Sequence, residues 1–96
     1  MAALDLLGRR WTLRILWELR ADSVGARALQ SRCDDMSSSV LYSRLGELRT
    51  AGLVDQDERG DYRLTDLGRQ LGDALTPLQE WAGRWAEAVR RAGPPA

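Results

Sequence analysis

DDMSSSVLYSRLGELRTAGLV, residues 34–54, is the stretch that decides the fold. Leu41, Leu45 and Leu48 recur at i, i+4 and i+7, the spacing of a single buried helix stripe. Serine is a poor helix former and a good helix starter, because its hydroxyl accepts from a backbone N–H that has no partner inside the helix. Ser37 therefore fits the N-cap. Met36 then stands at N′ and Leu41 at N4, the spacing of a hydrophobic staple. Ala51-Gly52 ends the element, with Gly52 placed for a left-handed cap. The spacing predicts a helix over 37–51 with leucines on one face and Ser38, Ser39, Tyr42, Ser43 and Gly46 on the other.

Downstream, residues 53–57 and 61–64 read as two short strands around Glu58-Arg59-Gly60. Thr65 then caps a long helix whose apolar residues run Leu67, Leu71, Leu75, Leu78, Ala82, Trp85, Val89. Thr76, Pro77 and Gln79 have the form of a capping box with Pro at N1, so this helix is expected to kink or restart there. Upstream, residues 1–7 read as a short helix broken near Gly8. Residues 12–20 read as a second, with Thr12 as N-cap and Leu13, Leu16 and Trp17 on one face beside Ile15 and Leu19. Residues 22–25 form a turn. Ala26–Arg32 is a third helix, with Ala26, Leu29 and Cys33 facing inward.

Helix, helix, helix, helix, hairpin, helix is a winged helix-turn-helix layout: mainly α with a small β-hairpin wing. The expected organisation is one domain, 1–91. It divides into N-terminal helices (4–21), helix-turn-helix (26–52), wing (53–64) and a dimerisation helix (66–91), followed by a disordered tail, 92–96.

Composition narrows the function. The 96 residues suit a single domain with a modest core. No apolar run approaches the ~20 residues of a membrane span, so the chain reads as soluble and cytoplasmic. A lone cysteine, Cys33, fits a reducing compartment and reads as a buried filler. There is no histidine, no metal-ligand spacing, no glycine-rich phosphate loop and no Ser-base pair, so the chain is not read as an enzyme and no cofactor is expected. All fourteen basic residues are arginine, balanced by fourteen acids.

In a helix-turn-helix the second helix enters the major groove and its N-terminal residues meet base edges. Small hydroxyls let the backbone approach closely, and each can donate or accept. Ser37, Ser38, Ser39, Tyr42 and Ser43 are thus the candidates facing double-stranded DNA. Arg27, Arg44 and Arg49 could reach phosphates, and Arg59 at the hairpin tip could enter a minor groove. Each has a plainer reading: a solvated cap for the serines, a pair with Glu47 or Glu18 for Arg44, an exposed turn for Arg59. Residues 27–63 hold six arginines and seven acids. That balance supports the rival function, a winged helix used for protein–protein contact with DNA binding lost. Gly46, which lowers helix stability by about 1 kcal/mol against Ala, could admit DNA or another helix.

LLGRRWTLRILWELR (6–20) resembles the start of HxlR-type winged-helix regulators of the MarR-like superfamily. MSSSVLYSRLGELRTAGLV followed by YRLTDLGRQL resembles their recognition helix, wing exit and last helix. The likeness spans roughly residues 4–90. It implies a homodimeric bacterial transcription regulator, more often a repressor, dimerised through its first and last helices. Ser37 falls at the family's helix-opening serine, Leu41 at its core leucine, Arg44 at the following arginine and Trp11 at its tryptophan. This chain departs at Ala26, where an aromatic is usual, and at Gly46, where a basic residue is common. Its hairpin is short and lacks the proline-containing wing segment. Redox-sensing members carry a cysteine near the N-terminus; this chain has none there.

The last helix also repeats in sevens, with Leu71, Leu78 and Trp85 on one line and Leu75, Ala82 and Val89 on another. A stripe this wide exceeds the needs of one small domain. Leu4, Leu7, Leu71, Leu78, Trp81, Trp85 and Val89 are therefore the expected homodimer interface. Trp17, Trp81 and Trp85 could wall a pocket for a small apolar effector, or could simply be interface core.

Overall fold

Seven elements follow the chain: α1 (Ala2–Leu7), α2 (Thr12–Glu18), α3 (Ala26–Arg32), α4 (Ser38–Thr50), β1 (Val54–Gln56), β2 (Tyr62–Leu64) and α5 (Asp66–Ala92). They come from a computed structural model that describes residues 2–93. β1 and β2 pair antiparallel, Val54 opposite Leu64 and Gln56 opposite Tyr62. Val24 adds a bridge to this hairpin, exchanging both backbone hydrogen bonds with Tyr62 at 2.8 Å. The wing is thereby tied to the turn between α2 and α3. The fold is a winged helix-turn-helix.

One core joins these elements. Ile15, Leu16 and Leu19 meet Leu29, Cys33 and Met36, then Leu41, Leu45 and Leu48, and finally Leu53, Val54, Tyr62 and Leu64. The three α4 leucines are almost fully buried, each contributing about 1.5–3 kcal/mol by removal from water. Met36 and Leu41 are both buried, as the staple requires. Gly52 takes φ +78° and closes α4, as its position predicted.

Thr65 joins wing to α5. Its hydroxyl accepts from the Gly68 N–H at 3.0 Å and donates to the Gly52 carbonyl at 2.6 Å, while its N–H donates to the Leu53 carbonyl at 3.0 Å. Gly68 lies so close to that carbonyl that an added Cβ would sit 2.1 Å from its oxygen. The Thr-x-x-Gly spacing is thus a packing requirement: the threonine starts the helix and the glycine lets it touch the wing.

Several expectations are corrected. Thr12 does not cap α2. It is the first helical residue, buried, and its hydroxyl has no hydrogen-bond partner. The capping position belongs to Trp11, whose backbone is left-handed at φ 78°. The buried face of α2 carries Thr12, Ile15, Leu16 and Leu19, whereas Leu13 and Trp17 turn outward. The helix ends at Glu18, and the strands are shorter than the apolar runs suggested. α5 runs through Pro77 without restarting. The Thr76 hydroxyl donates to the Gly72 carbonyl at 3.2 Å instead of capping a second helix. Ala92 ends α5 rather than opening a tail, and residues 94–96 lie outside the described residues.

α5 has 27 residues, about 40 Å at 1.5 Å per residue. Only Gly68 among them is fully buried. The helix stretches the molecule to 52 × 26 × 25 Å. No helix of the described residues is long and apolar enough to cross a membrane.

Candidate nucleic-acid interface

The α3–α4 turn is built from side chains as much as from backbone. Gln30 Nε2 donates to the Met36 carbonyl at 2.7 Å, and the Asp35 N–H donates to the Gln30 carbonyl at 3.0 Å. Asp34 and Asp35 both adopt positive φ, 58° and 56°, a conformation Asp tolerates better than most residues. Arg14 of α2 holds the turn from below, reaching Glu18, the Asp34 carboxylate and the Arg32 carbonyl. The Glu18 hydrogen bond foremost, with the charge of Asp34 behind it, keeps this guanidinium above its ordinary value. Cys33 is wholly buried beneath the turn, and burial pushes its thiol up.

On α4, Ser37 is the N-cap: its hydroxyl accepts from the Val40 N–H at 3.2 Å. Ser38, Ser39, Tyr42, Ser43 and Gly46 are all exposed along the side opposite the buried leucines. Nothing lies within 4 Å of where a Cβ on Gly46 would stand. The first turns of α4 therefore offer hydroxyls, one aromatic ring and bare backbone.

The charge balance of residues 27–63 separates by pairing. Arg32 pairs with Asp22, Arg44 with Glu47 and Arg63 with Asp55. The Asp55 hydrogen bond keeps the Arg63 guanidinium above its ordinary value. Among the described residues, Arg27, Arg49 and Arg59 have no carboxylate partner. Arg49 donates only to the neutral Gln56 amide, at 2.7 Å. Arg59 stands exposed at the wing tip, where its backbone N–H donates to Asp57 Oδ1 at 2.9 Å. Of the sequence candidates, Arg44 alone is turned inward. Its side chain is 18% exposed and donates to the Arg10 carbonyl and to Glu47, so a phosphate contact there is not what its geometry offers.

Away from α4, the interface candidates are unevenly placed. Leu7 and Leu71 pack partly against the core. Leu4, Leu78, Trp81, Trp85 and Val89 are each between 48% and 65% exposed. Trp81 and Trp85 stack on each other, with centroids 5.8 Å apart and planes within 4°. They do not join Trp17 in one pocket. Trp17 lines a cavity of about 520 Å³ between α2 and the first half of α5, with Leu13, Leu64, Leu75 and Leu78, and the tryptophan pair lies outside it. Arg20 covers the Trp17 ring at 3.7 Å and donates to its carbonyl.

A family model for HxlR-like helix-turn-helix proteins matches residues 6–90. The chain belongs to the HxlR-like helix-turn-helix family. It is 32% identical to YvaP, an uncharacterised HTH-type transcriptional regulator of Bacillus subtilis, over 88% of this chain and 84% of that relative. It is 37% identical to Rv3095, an uncharacterised HTH-type transcriptional regulator of Mycobacterium tuberculosis, over 97% of this chain; it spans only 61% of that longer relative. Among solved structures, quinone-bound YodB from B. subtilis superposes with TM-score 0.79 at 28% identity, covering 86% of this chain and 92% of YodB. An HxlR family factor from Thermoplasma volcanium gives 0.79 at 26%, covering 88% and 82%.

This HxlR-like chain is accordingly a helix-turn-helix transcriptional regulator, not an enzyme, and its partner class is DNA. Two features of the region escaped sequence reasoning. The contact from Arg44 to the Arg10 carbonyl joins residues 34 apart in the chain through a backbone atom, so no side-chain pattern signals it. The left-handed Trp11 has no local signature either, because its ring type argues against positive φ.

Proposed function

We propose that this HxlR-like regulator is a homodimer that binds a specific double-stranded operator and represses by occupying it. The supporting observation is the two-sidedness of α4: leucines buried on one side, and Ser38, Ser39, Tyr42, Ser43 and Gly46 exposed on the other. Ser38, Ser39, Tyr42 and Ser43 would meet base edges, with Ser37 capping the helix that carries them. Arg27, Arg49 and Arg59 would reach phosphates. Repression by occupancy requires nothing beyond this binding. The dimer reading rests on the apolar residues that α1 and α5 leave exposed, Leu4, Leu78, Trp81, Trp85 and Val89, which a two-fold copy could cover. Such a regulator works in the cytoplasm, where the DNA is.

The cavity beside Trp17 favours a second, compatible reading: a small apolar effector held between α2 and α5. Binding there would be non-covalent, since Cys33 is buried and does not line the cavity. Planar aromatic compounds should quench the fluorescence of a W81F/W85F background, where Trp11 and Trp17 remain, and adding Trp17→Phe should abolish that quench.

The main test is fluorescence anisotropy on duplex DNA from upstream of the protein's own gene against a scrambled duplex, with sedimentation of the free protein. Preference for the cognate duplex at moderate salt by a dimer is expected. Equal binding to both duplexes, lost as salt rises, would favour the protein–protein adaptor reading.

A further inference from the structure

Arg44 sits midway along α4, yet its guanidinium reaches the junction between α1 and α2 through Nε, while Nη1 stays on α4 with Glu47 and Ser43. Its Nε donates to the Arg10 carbonyl at 2.9 Å, and its Nη1 donates to Glu47 Oε1 at 2.9 Å. The other Glu47 oxygen, buried and without a hydrogen bond, lies 3.3 Å from Arg9 Nε as an ion pair. Two α4 side chains thus grip one backbone carbonyl and one side chain of the same loop. The carbonyl they grip belongs to the residue just before Trp11. A positive φ at a tryptophan is strained and persists only where its surroundings hold it. Arg10 itself lies over the Trp11 ring, 5.8 Å from its centroid.

From this we infer that Arg44 and Glu47 are positioning residues for DNA binding: they fix the α1–α2 junction against α4, and with it the orientation of the groove-facing side, and Arg44 takes no phosphate. The inference rests on the DNA-binding reading above. The clamp needs a guanidinium. Nε and Nη1 act at once on two acceptors in different directions, whereas a lysine offers one ammonium that suits a phosphate equally well. Because the loop leads directly back into α1, the clamp also joins the recognition helix to the helix assigned to the dimer interface.

The test uses R44K, R44A and E47Q in the full chain, with two readouts. One is operator affinity across a salt series; the other is hydrogen exchange of amides 9–12 without DNA. Both Arg44 variants are expected to weaken operator binding by about tenfold. The slope of log K against log salt should stay unchanged and amides 9–12 should exchange faster. E47Q, which preserves size and fold, should move both readouts in the same direction but less. Wild-type affinity in R44K, with R44A lowering the slope by about 1.8 for two phosphates per dimer, would overturn the inference and make Arg44 a phosphate contact. Unchanged exchange in R44K and E47Q would also overturn it. If wild-type protein binds no duplex specifically while R44K still exchanges faster, the DNA reading fails and the positioning role falls with it, although the clamp is real.

Discussion

The salt dependence of operator binding follows from which arginines already have a carboxylate. Residues 27–63 hold six arginines, and three of them, Arg32, Arg44 and Arg63, are paired with Asp22, Glu47 and Asp55. Three would remain for phosphates, hence six in the proposed dimer. At about 0.9 released counterions per phosphate, log K should fall against log salt with a slope of about −5.4. Between 50 and 200 mM salt that is a loss of roughly 2,000-fold. Counting all six arginines per protomer would double the slope to about −11. Arg49→Ala should bring it to about −3.6, and Arg63→Ala should leave it unchanged. Anisotropy titrations at five salt concentrations give the slope directly. A value near −11, or an R63A slope falling as far as that of R49A, would refute the argument that ion pairing inside the protomer removes those arginines from the interface.

Gly68→Ala places a methyl 2.1 Å from the Leu53 carbonyl oxygen; it should destabilise by about 1–3 kcal/mol or more, lowering the thermal midpoint by several degrees per kcal/mol in a calorimetric scan. Trp81→Ala with Trp85→Ala removes the stacked exposed pair and should shift sedimentation at micromolar concentration from dimer toward monomer with the helix-turn-helix still folded. Pro77→Ala restores an N–H inside α5 and should raise thermal stability, by at most ~3 kcal/mol. For Cys33 the sign follows from burial, which raises the folded thiol. Below the ordinary thiol pKa both states hold the proton and stability is unaffected. Above it the unfolded chain loses its proton first, so stability should fall with rising pH in wild type but not in Cys33→Ala, as urea midpoints would show.

Much of the molecule was legible because local rules and the global fold agree. The α4 stripe, the Ser37 cap, the Met36–Leu41 staple, the Gly52 turn and the Thr65 cap each depend on residues within one or two turns of each other, and all five stand in the structure. Reasoning of the same kind failed at Thr12 and Pro77. Thr12 had the right residue type for a cap, but the core claimed its side chain and a strained Trp11 backbone took the position. Thr76-Pro77-x-Gln79 had the spacing of a helix start, but a helix already running supplies an acceptor for the threonine at Gly72, so no new start is needed. Trp81 and Trp85, four residues apart, stack on one face of α5 and lie outside the cavity that Trp17 lines within the protomer.

The sequence by itself determined the order of the elements, the buried leucine face of α4 and the hydroxyl face opposite, because periodicity and capping act over a few residues. Which arginines keep their charge for a partner was decided only by the tertiary structure. Arg27, Arg44, Arg49 and Arg63 are alike in the sequence, but their availability depends on what the fold carries to them: a carboxylate across the hairpin for Arg63, a backbone carbonyl from 34 residues away for Arg44, a neutral amide for Arg49. A guanidinium paired with a carboxylate or turned inward onto a carbonyl has little left to offer a phosphate, whereas Arg49 on a neutral amide keeps its charge uncompensated, and that distinction arises only once the chain has folded.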